Sequence, residues 1–354
     1  MSKILIAGAG GAPSEGVIKS LIKCGHEVIG MGSDPQDLYL SKATRKYHVP
    51  YANNVNYEKK LLNLLNREKP ELIHFQNDLE IYHASLLSEK IHLTGCKTFM
   101  PRHEVIDNCV HKYKTWQKMM SANIKVPNNI FINNEKDLKD AFDKLSYKNE
   151  KIWLRSALIG AGGKGSLPTN DFEFAKNWIN FHNGWGSFIA AEILTENSVT
   201  WLSIWYEGEL IVAQGRQRYG WTHSNRTVSG VTGVTKVGKT YSNELLNDIA
   251  ISSIKSVDEK PHGIFGVDMT YDKQGVPNPT EINISRFFTT ILFFTDAGLN
   301  LPAIFVDLGI FGKTKFKKGT ISPLENGLLW LRGMDTEPKL SSNDKFNKSI
   351  IWDL

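Results

Sequence analysis

The sequence predicts a mixed fold, with an α/β unit of parallel strands followed by an α+β region of antiparallel strands. The first 35 residues read as strand, glycine turn, helix and strand, which is the βαβ unit of a doubly wound sheet. After Val126-Pro127, strand patterns become more frequent and helices separate them less regularly. A chain of 354 residues is long enough for two such domains.

Apolar spacing defines the elements of the first unit. Ile4–Ala7 has the pattern of a buried strand, residues 17–22 form one apolar helical face up to Gly25, and residues 27–31 form a second strand pattern. The later elements are a helix at 58–67, a strand at 72–75, a helix at 79–90 and a short edge strand at 98–100. We expect this domain to span residues 1–108.

The second region begins with a helix pattern over His111–Asn123, which Val126-Pro127 ends. The strand patterns that follow are residues 152–155, 187–193, 200–206, 209–215, 265–271 and 279–284. The helix patterns are residues 135–145, 171–181 and 243–257, and a last strand pattern covers 327–332. We expect a second domain over residues 109–312, with residues 313–354 as a C-terminal extension that packs on the core.

The composition is that of an ordinary globular protein. Hydrophobic residues make up 41% and charged residues 22% of the chain, which excludes fibrous and disordered classes. The excess of 42 basic over 37 acidic residues suits an anionic small molecule better than a nucleic acid. Three cysteines without a C-x-x-C pair predict neither disulfides nor a zinc site, and apolar runs are short. We therefore expect a cytoplasmic protein without a membrane or nucleic-acid partner.

A glycine turn follows the first strand at Gly8, Gly10 and Gly11. Backbone N–H groups at such a turn can bind a phosphate at the start of the next helix, and Asp34 follows the second strand as in dinucleotide-binding units. The fingerprint is incomplete, because Pro13 stands where the third glycine belongs. A purely structural turn and a ligand-binding turn, with NAD as one ligand, both stay open.

A second glycine-rich loop, Ile159–Gly165, directly follows the strand that ends at Arg155. Its backbone can close over anionic oxygens, with Lys164 as a point charge. It is not a Walker A motif, because Gly165 rather than Ser or Thr follows the lysine. The loop is either a flap over a phosphate or a surface hairpin.

Three oxygen-bearing side chains lie on two strand patterns near the end of the second domain. Asp268 is in the middle of one strand, and Glu281 and Asn283 share a face of the next because side chains alternate along a strand. Two carboxylates and an amide oxygen suit Mg²⁺. The alternative is a structural ion pair with Arg286 or Lys273.

Arginines accumulate between the glycine loop and these strands. Arg216, Arg218 and Arg226 can hold a substrate carboxylate or an acyl phosphate through bidentate hydrogen bonds. The alternative is a pair of exposed strands with solvated charges. Three tryptophans of this region are interpreted as packing residues, namely Trp201, Trp205 and Trp221.

Taken together, these features resemble the ATP-grasp superfamily, most closely its carbamoyl-phosphate-synthase-like carboxylate–amine ligases. The resemblance covers most of the chain. The matching segments, in order, are Ile4–Gly11, Lys112–Trp116, Arg155 with Gly160–Gly165, Ala191–Leu194, Asp268, and Glu281–Asn283 with Arg286. The resemblance implies a Rossmann-like pre-ATP-grasp domain followed by a two-lobed ATP-grasp fold, with a lid lobe at about residues 125–195.

The resemblance also implies roles for single residues. The implied nucleotide-binding residues are Lys112, Arg155, Gly160, Gly162, Gly163, Lys164, Glu192 and Leu194. The implied metal ligands are Asp268, Glu281 and Asn283. The candidate catalytic residues are Arg286, from the resemblance, and Arg216 and Arg218, from their chemistry.

The sequence departs from the family pattern in two places. The family commonly has a glutamate beyond the hinge that holds the ribose hydroxyls, whereas residues 197–201 contain no carboxylate and Glu196 lies earlier. The usual E-x-N-P-R ending is here Glu281-Ile-Asn-Ile-Ser-Arg286, with the arginine one place late. These departures concern ribose recognition and the role of Arg286.

The resemblance implies an enzyme that uses ATP with Mg²⁺, or Mn²⁺ in its place, to convert a small-molecule carboxylate to an acyl phosphate. An amine or a similar nucleophile then displaces phosphate, and ADP is the other product. Two alternatives are a nucleotide-binding or regulatory protein without turnover, and an NAD(P)-dependent enzyme that uses the first glycine turn. A homodimer is the expected assembly because it is the commonest one.

Overall fold

The computed structural model describes residues 1–146, 150–157, 165–333 and 339–348. In these residues the chain forms three β-sheets, which helices join and cover. None of the described helices combines the length and the apolar character that crossing a lipid bilayer requires.

The first sheet is parallel throughout and has the strand order β3-β2-β1-β4-β5. Its strands are β1 (Lys3–Ala7), β2 (Glu27–Gly32), β3 (Arg45–His48), β4 (Leu72–His74) and β5 (Lys97–Thr98). The helices of this unit are α1 (Ala12–Ile22), α2 (Pro35–Leu40), α3 (Tyr57–Glu68), α4 (Asp78–Leu86) and α5 (Ser88–Leu93). The parallel α/β unit is thus confirmed. The helix predicted at 79–90 is two helices, because Leu87 leaves the helical region at φ −99° and ψ 7°.

The second sheet is large and almost entirely antiparallel, with the order β14-β13-β10-β11-β12-β16-β17 and a short strand β15 that pairs in parallel with β11. Its strands are β10 (Ser198–Tyr206), β11 (Glu209–Trp221), β12 (Thr235–Tyr241), β13 (Gly263–Tyr271), β14 (Pro277–Ile284), β15 (Thr320–Ile321), β16 (Leu328–Leu331) and β17 (Lys339–Ser342). The strand predicted at 209–215 extends to Trp221, so Arg216 and Arg218 lie within it. The helices in this part of the chain are α10 (Glu244–Val257), α11 (Ile291–Asp296), α12 (Leu301–Phe311) and α13 (Asn343–Lys348).

The third sheet is small and antiparallel, with the order β6-β9-β7-β8. It contains β6 (Asn129–Ile132), β7 (Ile152–Ser156), β8 (Leu167–Thr169) and β9 (Phe188–Glu192), and α8 (Glu135–Leu145) and α9 (Phe172–Phe181) accompany it. This sheet has its own core, in which Leu138 and Ile179 pack against Leu154 and Phe188. Two helices, α6 (His103–Val110) and α7 (Lys112–Ser121), pack against β14 and precede the small sheet in the chain.

The first and second sheets share a hydrophobic core. Residues of β1 and α1 belong to the same buried cluster as residues of β10, α11 and α12. Gly309 of α12 permits a close approach to the first sheet, because a Cβ there would lie 2.9 Å from Leu72 and 3.0 Å from Phe99. The carboxyl end of β4 therefore lies beside the segment that follows β14, and the two contribute to one site.

Candidate functional site

A cavity of about 1080 Å³ lies among the three sheets. Of the site residues predicted from the sequence, ten line it, namely Lys112, Arg155, Glu192, Leu194, Arg216, Arg218, Asp268, Glu281, Asn283 and Arg286. The other four, Gly160, Gly162, Gly163 and Lys164, lie outside the described residues. The fold thus brings together side chains that are up to 174 positions apart in the printed sequence, from Lys112 to Arg286.

The two carboxylates of the predicted metal site lie opposite each other on neighbouring strands. Asp268 of β13 pairs in register with Glu281 of β14, and the register shifts directly after this pair. Asn283 is on the same side of β14 as Glu281, and its Nδ2 donates to Asp268 Oδ2 at 3.1 Å. The alternation of side chains along β14 gives this common face, as the spacing in the sequence predicts.

Glu281 is surrounded by cations from three different parts of the chain. Its carboxylate lies 2.9 Å from Arg155 Nη2 of the small sheet, 3.5 Å from Lys112 Nζ of α7 and 4.0 Å from Arg286 Nη2. Burial alone would raise the pKa of Glu281, but the three cations and the hydrogen bond from Arg155 hold it at about 2. The side chain is therefore an ionised carboxylate at neutral pH, and it connects the small sheet to the large one.

Arg216 is a buried cation without a carboxylate partner among its hydrogen bonds. Its exposed fraction is 1%, and its guanidinium donates to the hydroxyls of Thr200, Thr235 and Thr290. Burial lowers the pKa of Arg216 to about 9, and Arg218 beside it acts in the same direction. The group stays protonated at neutral pH. A solvated surface arginine is excluded, and an anionic ligand would supply the missing negative charge.

Arg218 joins this cation to the carboxylate pair. Its Nη2 lies 3.6 Å from Asp268 Oδ1 and 3.3 Å from the Thr200 hydroxyl. Its guanidinium carbon lies 3.9 Å from the centre of the Trp221 ring, a cation–π contact. Trp221 thus packs on a side chain of the protein, as the sequence interpretation expects, and it also lines the cavity. Trp201 and Trp205 are packing residues, at 0% and 2% exposure.

Arg286 connects the end of β14 to the first sheet. Its Nε lies 2.9 Å from Asp78 Oδ1 at the start of α4, and its Nη2 donates to Asn283 Oδ1. The displacement of this arginine by one place in the sequence thus leaves it inside the cavity and next to Asn283. Asp78 was missed at the level of sequence. The signal that points to it is its position after a buried parallel strand, where ligand sites of α/β sheets lie.

The fold is similar to the folds of several solved enzymes. N5-carboxyaminoimidazole synthetase from Staphylococcus aureus matches with a TM-score of 0.68 at 15% identity, over 93% of this chain and 82% of that one. Biotin carboxylase from Campylobacter jejuni matches with a TM-score of 0.69 at 14% identity, over 94% and 75%. L-amino acid ligase from Bacillus licheniformis matches with a TM-score of 0.67 at 10% identity, over 93% and 79%. The chain has the ATP-grasp fold.

This result confirms the fold that the sequence resemblance implies. The parallel sheet stands at the amino end of the ATP-grasp fold, and the two antiparallel sheets enclose the cavity with it. At the level of sequence the evidence is different, since neither a protein-family model nor a curated protein matches the chain.

The segment for which the sequence resemblance predicts a hinge follows β9. The Glu192 carboxylate accepts the Asn128 backbone N–H at 2.8 Å, so this side chain links the end of β9 to the residue before β6. Beyond it, Thr195 donates both its N–H and its hydroxyl to the Tyr271 carbonyl, at 3.0 and 2.6 Å. Residues 193–197 line the cavity, and Glu196 carries the carboxylate of this segment.

A side chain of the protein itself occupies the glycine turn between β1 and α1. Gly10 N–H donates to the Glu15 carboxylate at 3.0 Å, and the other oxygen of Glu15 accepts the Lys42 N–H at 2.9 Å. A carboxylate thus occupies the helix start at which a dinucleotide phosphate would bind. Gly10, at φ +94°, lies against the Asp37 backbone, where a Cβ would come within 2.0 Å of the carbonyl oxygen. These contacts favour a structural turn over an NAD site.

The carboxylate pair suits a magnesium ion that is shared with a nucleotide. Mg²⁺ in proteins takes one or two carboxylates and completes its shell with waters and substrate phosphates. Glu281 is ionised, and Asp268 stands opposite it on the same face of the sheet. In the described part of the chain, no group of three or more His, Cys, Asp or Glu side chains is placed to enclose an ion. A Mg²⁺ ion on the carboxylate pair would take its remaining ligands from waters and phosphate oxygens.

Proposed function

We propose that the chain is an ATP- and Mg²⁺-dependent ligase that activates a small-molecule carboxylate as an acyl phosphate for attack by an amine or a similar nucleophile. The observation that carries this proposal is the single cavity in which paired carboxylates stand beside five cationic side chains. Those cations are Lys112, Arg155, Arg216, Arg218 and Arg286. An arrangement of this kind suits the transfer of a phosphoryl group to an anionic acceptor.

Nucleotide use is supported by the ligands of structures with the same fold. The Staphylococcus aureus synthetase was solved with ADP, the carboxyaminoimidazole ribonucleotide synthase of Aspergillus clavatus with ATP, and the biotin carboxylase domain of a Hydrogenobacter thermophilus enzyme with MgADP and bicarbonate. In this chain we assign the nucleotide phosphates to Lys112 and Arg155. Both contact Glu281, so phosphates and carboxylate would compete for the same cations.

We assign the metal to Asp268, Glu281 and Asn283. When bound there, Mg²⁺ would neutralise negative charge on the transferring phosphoryl group. The low pKa of Glu281 keeps this ligand ionised without a proton to displace. Arg286, which contacts both Asn283 and Asp78, would hold the first-domain side of the site at a fixed distance from the metal strands.

We assign the substrate carboxylate to Arg216 and Arg218. Among the described residues, Arg216 donates to no carboxylate, and the carboxylate beside Arg218 is Asp268, at 3.6 Å. In the reaction, a carboxylate oxygen attacks the γ-phosphorus of ATP, the bond to the β-phosphate oxygen breaks, and ADP leaves. The nucleophile then attacks the acyl carbon, loses its proton, and expels inorganic phosphate. The cations stabilise the charge that spreads over the phosphoryl oxygens.

Trapping of the acyl phosphate tests the proposal. We expect the purified protein to release phosphate from ATP only with Mg²⁺ and only with certain acids from a panel of L-amino acids and small carboxylic acids. Hydroxylamine should convert the acyl phosphate to a hydroxamate, which is measured by its iron complex. Glu281→Gln should abolish this activity, whereas Glu209→Gln, which alters an exposed ion pair with Lys318, should retain it.

One observation favours nucleotide binding without turnover as a second candidate. The Asp268 carboxylate is already engaged by the Thr200 hydroxyl, Asn283 and Arg218, which compete with a metal for its oxygens. In that case the protein binds Mg²⁺ and ATP but gives no hydroxamate with any acid of the panel. Acid-dependent phosphate release that is well above background and equal in the wild type and Glu281→Gln would contradict both candidates.

A further inference from the structure

Gln76 is a buried side chain at the wall of the cavity, and its amide nitrogen has no partner among the described residues. The residue follows β4, its exposed fraction is 3%, and it lines the cavity beside Asn77 and Pro13. Its Nε2 has no hydrogen-bond partner in the part of the chain that the structure describes. Buried amide groups are almost always hydrogen-bonded, so this N–H group is available to donate to a molecule in the cavity.

The orientation of this amide is fixed by two donors on its other side. The Gln76 Oε1 accepts the Phe287 backbone N–H at 2.8 Å, and a backbone N–H can only donate. The same oxygen accepts from His74 Nε2 at 3.0 Å. Burial lowers the pKa of His74 to about 4, so the ring is neutral at pH 7 and carries a single N–H. With the oxygen held twice, the NH₂ group has to point the other way.

The surroundings of Gln76 differ from those of the arginine pair. The His74 ring packs between Phe287 and Phe305, with ring centres 5.3 and 4.7 Å away. Asp78, two residues after Gln76, forms an ion pair with Arg286 at 2.9 Å, so its charge is balanced. Gln76 therefore offers two neutral N–H donors in a largely apolar wall, whereas Arg216 and Arg218 offer positive charge. A ligand atom at Gln76 must accept a hydrogen bond and must not carry an ammonium group.

We propose that the Gln76 amide binds an oxygen of the organic substrate, namely a carbonyl, carboxylate or hydroxyl oxygen, and so determines substrate specificity. This inference rests on the proposed function and adds to it a contact on the first-domain side of Arg286. His74 and the Phe287 N–H act as positioning groups, because they hold the Gln76 carbonyl away from the cavity. Substrates without an oxygen acceptor at that position are rejected, since they would leave the buried N–H groups unpaired.

The test uses an isosteric variant and a matched control. Gln76→Glu keeps an oxygen for Phe287 and His74 but replaces the donor with an acceptor. Gln214→Glu makes the same change at a fully buried glutamine outside the cavity, where Nε2 donates to the Gly215 carbonyl and Oε1 accepts the Leu324 N–H. Michaelis constants for ATP and for the active acid or nucleophile of the panel are measured for the wild type and both variants, with melting temperatures.

We expect Gln76→Glu to raise KM for the organic substrate about ten-fold or more while KM for ATP changes less than about two-fold. Gln214→Glu should lower the melting temperature without this split. An unchanged KM for the organic substrate, or the same pattern in both variants, would overturn the inference. Failure of the proposed function looks different, because neither the wild type nor any variant then forms hydroxamate.

A direct measurement covers the case in which Gln76→Glu does not fold or no acid is turned over. The side-chain amide of Gln76 is followed by NMR in wild-type protein labelled with ¹⁵N-glutamine, and Gln76→Asn identifies its resonance. In the presence of a non-hydrolysable ATP analogue and Mg²⁺, at least one acid of the panel should shift this resonance. A Gln76 signal that no panel member shifts would overturn the inference.

Discussion

Burial makes the Glu80 carboxyl a weaker acid than an exposed glutamate. Its carboxyl lies in hydrogen-bond contact with the Tyr57 hydroxyl at 3.1 Å and with Asn77 Nδ2 at 3.0 Å. Burial raises the pKa of Glu80 to about 7, although both hydrogen bonds oppose the rise. Below that pH the folded protein retains a proton that the unfolded chain, with a carboxyl pKa near 4.5, has already lost.

We expect Glu80→Gln to remove this pH dependence of the free energy of unfolding. Between about pH 4.5 and pH 7 the native state binds more protons than the unfolded state, so stability falls as the pH rises through this window. The stability of Glu80→Gln relative to the wild type should therefore increase as the pH rises from about 5 to about 8. Urea unfolding at several pH values measures it, with the exposed Glu89→Gln as control. A difference that is independent of pH would contradict the assignment.

At the scale of secondary-structure elements, the turn between β1 and α1 depends on glycine at one position. Gly10→Ala should lower the free energy of unfolding by about 3 kcal/mol or more, because its Cβ would meet the Asp37 backbone and its φ is positive. Gly25→Ala is the matched control, since Gly25 also has a positive φ but no atom within 4 Å of a Cβ. We expect it to cost about 1 kcal/mol. Equal losses in urea unfolding would exclude the close approach as the cause.

An ion pair between Asp78 of α4 and Arg286 links α4 to the segment that follows β14. Asp78→Asn removes the charge that faces Arg286, and we expect the free energy of unfolding to fall by about 1–3 kcal/mol. Phosphate release should fall as well, because Arg286 also contacts Asn283. Glu209→Gln at the exposed Lys318 pair should change stability by less than about 1 kcal/mol. Wild-type activity in Asp78→Asn would show that the link is dispensable.

The elements that the sequence predicts are those with a strong apolar period. Helices expected at 135–145, 171–181 and 243–257 are found at Glu135–Leu145, Phe172–Phe181 and Glu244–Val257. By contrast, β8 (Leu167–Thr169) contains a proline and β12 (Thr235–Tyr241) contains Gly238 and two lysines, so neither has a strand signal of its own. Their partner strands stabilise them, which a local pattern does not reveal.

In the candidate site too, local sequence patterns predict some residues and do not reveal others. Glu281 and Asn283 share a face because they are two residues apart on one strand, and the sequence predicts that directly. Gln76, which lines the cavity, and Asp78, which contacts the cavity residue Arg286, are connected to the site through residues more than 200 positions later. Their connection depends on the packing of α12 and β4, for which a single sequence carries no periodic signal.

At the scale of the whole molecule, the three sheets contribute different parts of one cavity. The segment after β4 supplies Gln76, the small sheet supplies Arg155, and the large sheet supplies the carboxylates and the arginine pair. Glu281 contacts Arg155, Lys112 and Arg286 and so connects three parts of the chain. We therefore expect this cavity to bind a magnesium nucleotide and the first glycine turn to bind no nucleotide.

Calorimetric titration of the full chain with a non-hydrolysable ATP analogue tests that claim most directly. The titration is done with and without Mg²⁺, and NAD is the control ligand. We expect the ATP analogue to bind, with an affinity that Mg²⁺ increases and Glu281→Gln decreases. We expect no heat of binding for NAD. Binding of NAD without binding of the ATP analogue would contradict it, because the ligand site would then lie at the glycine turn of the first sheet.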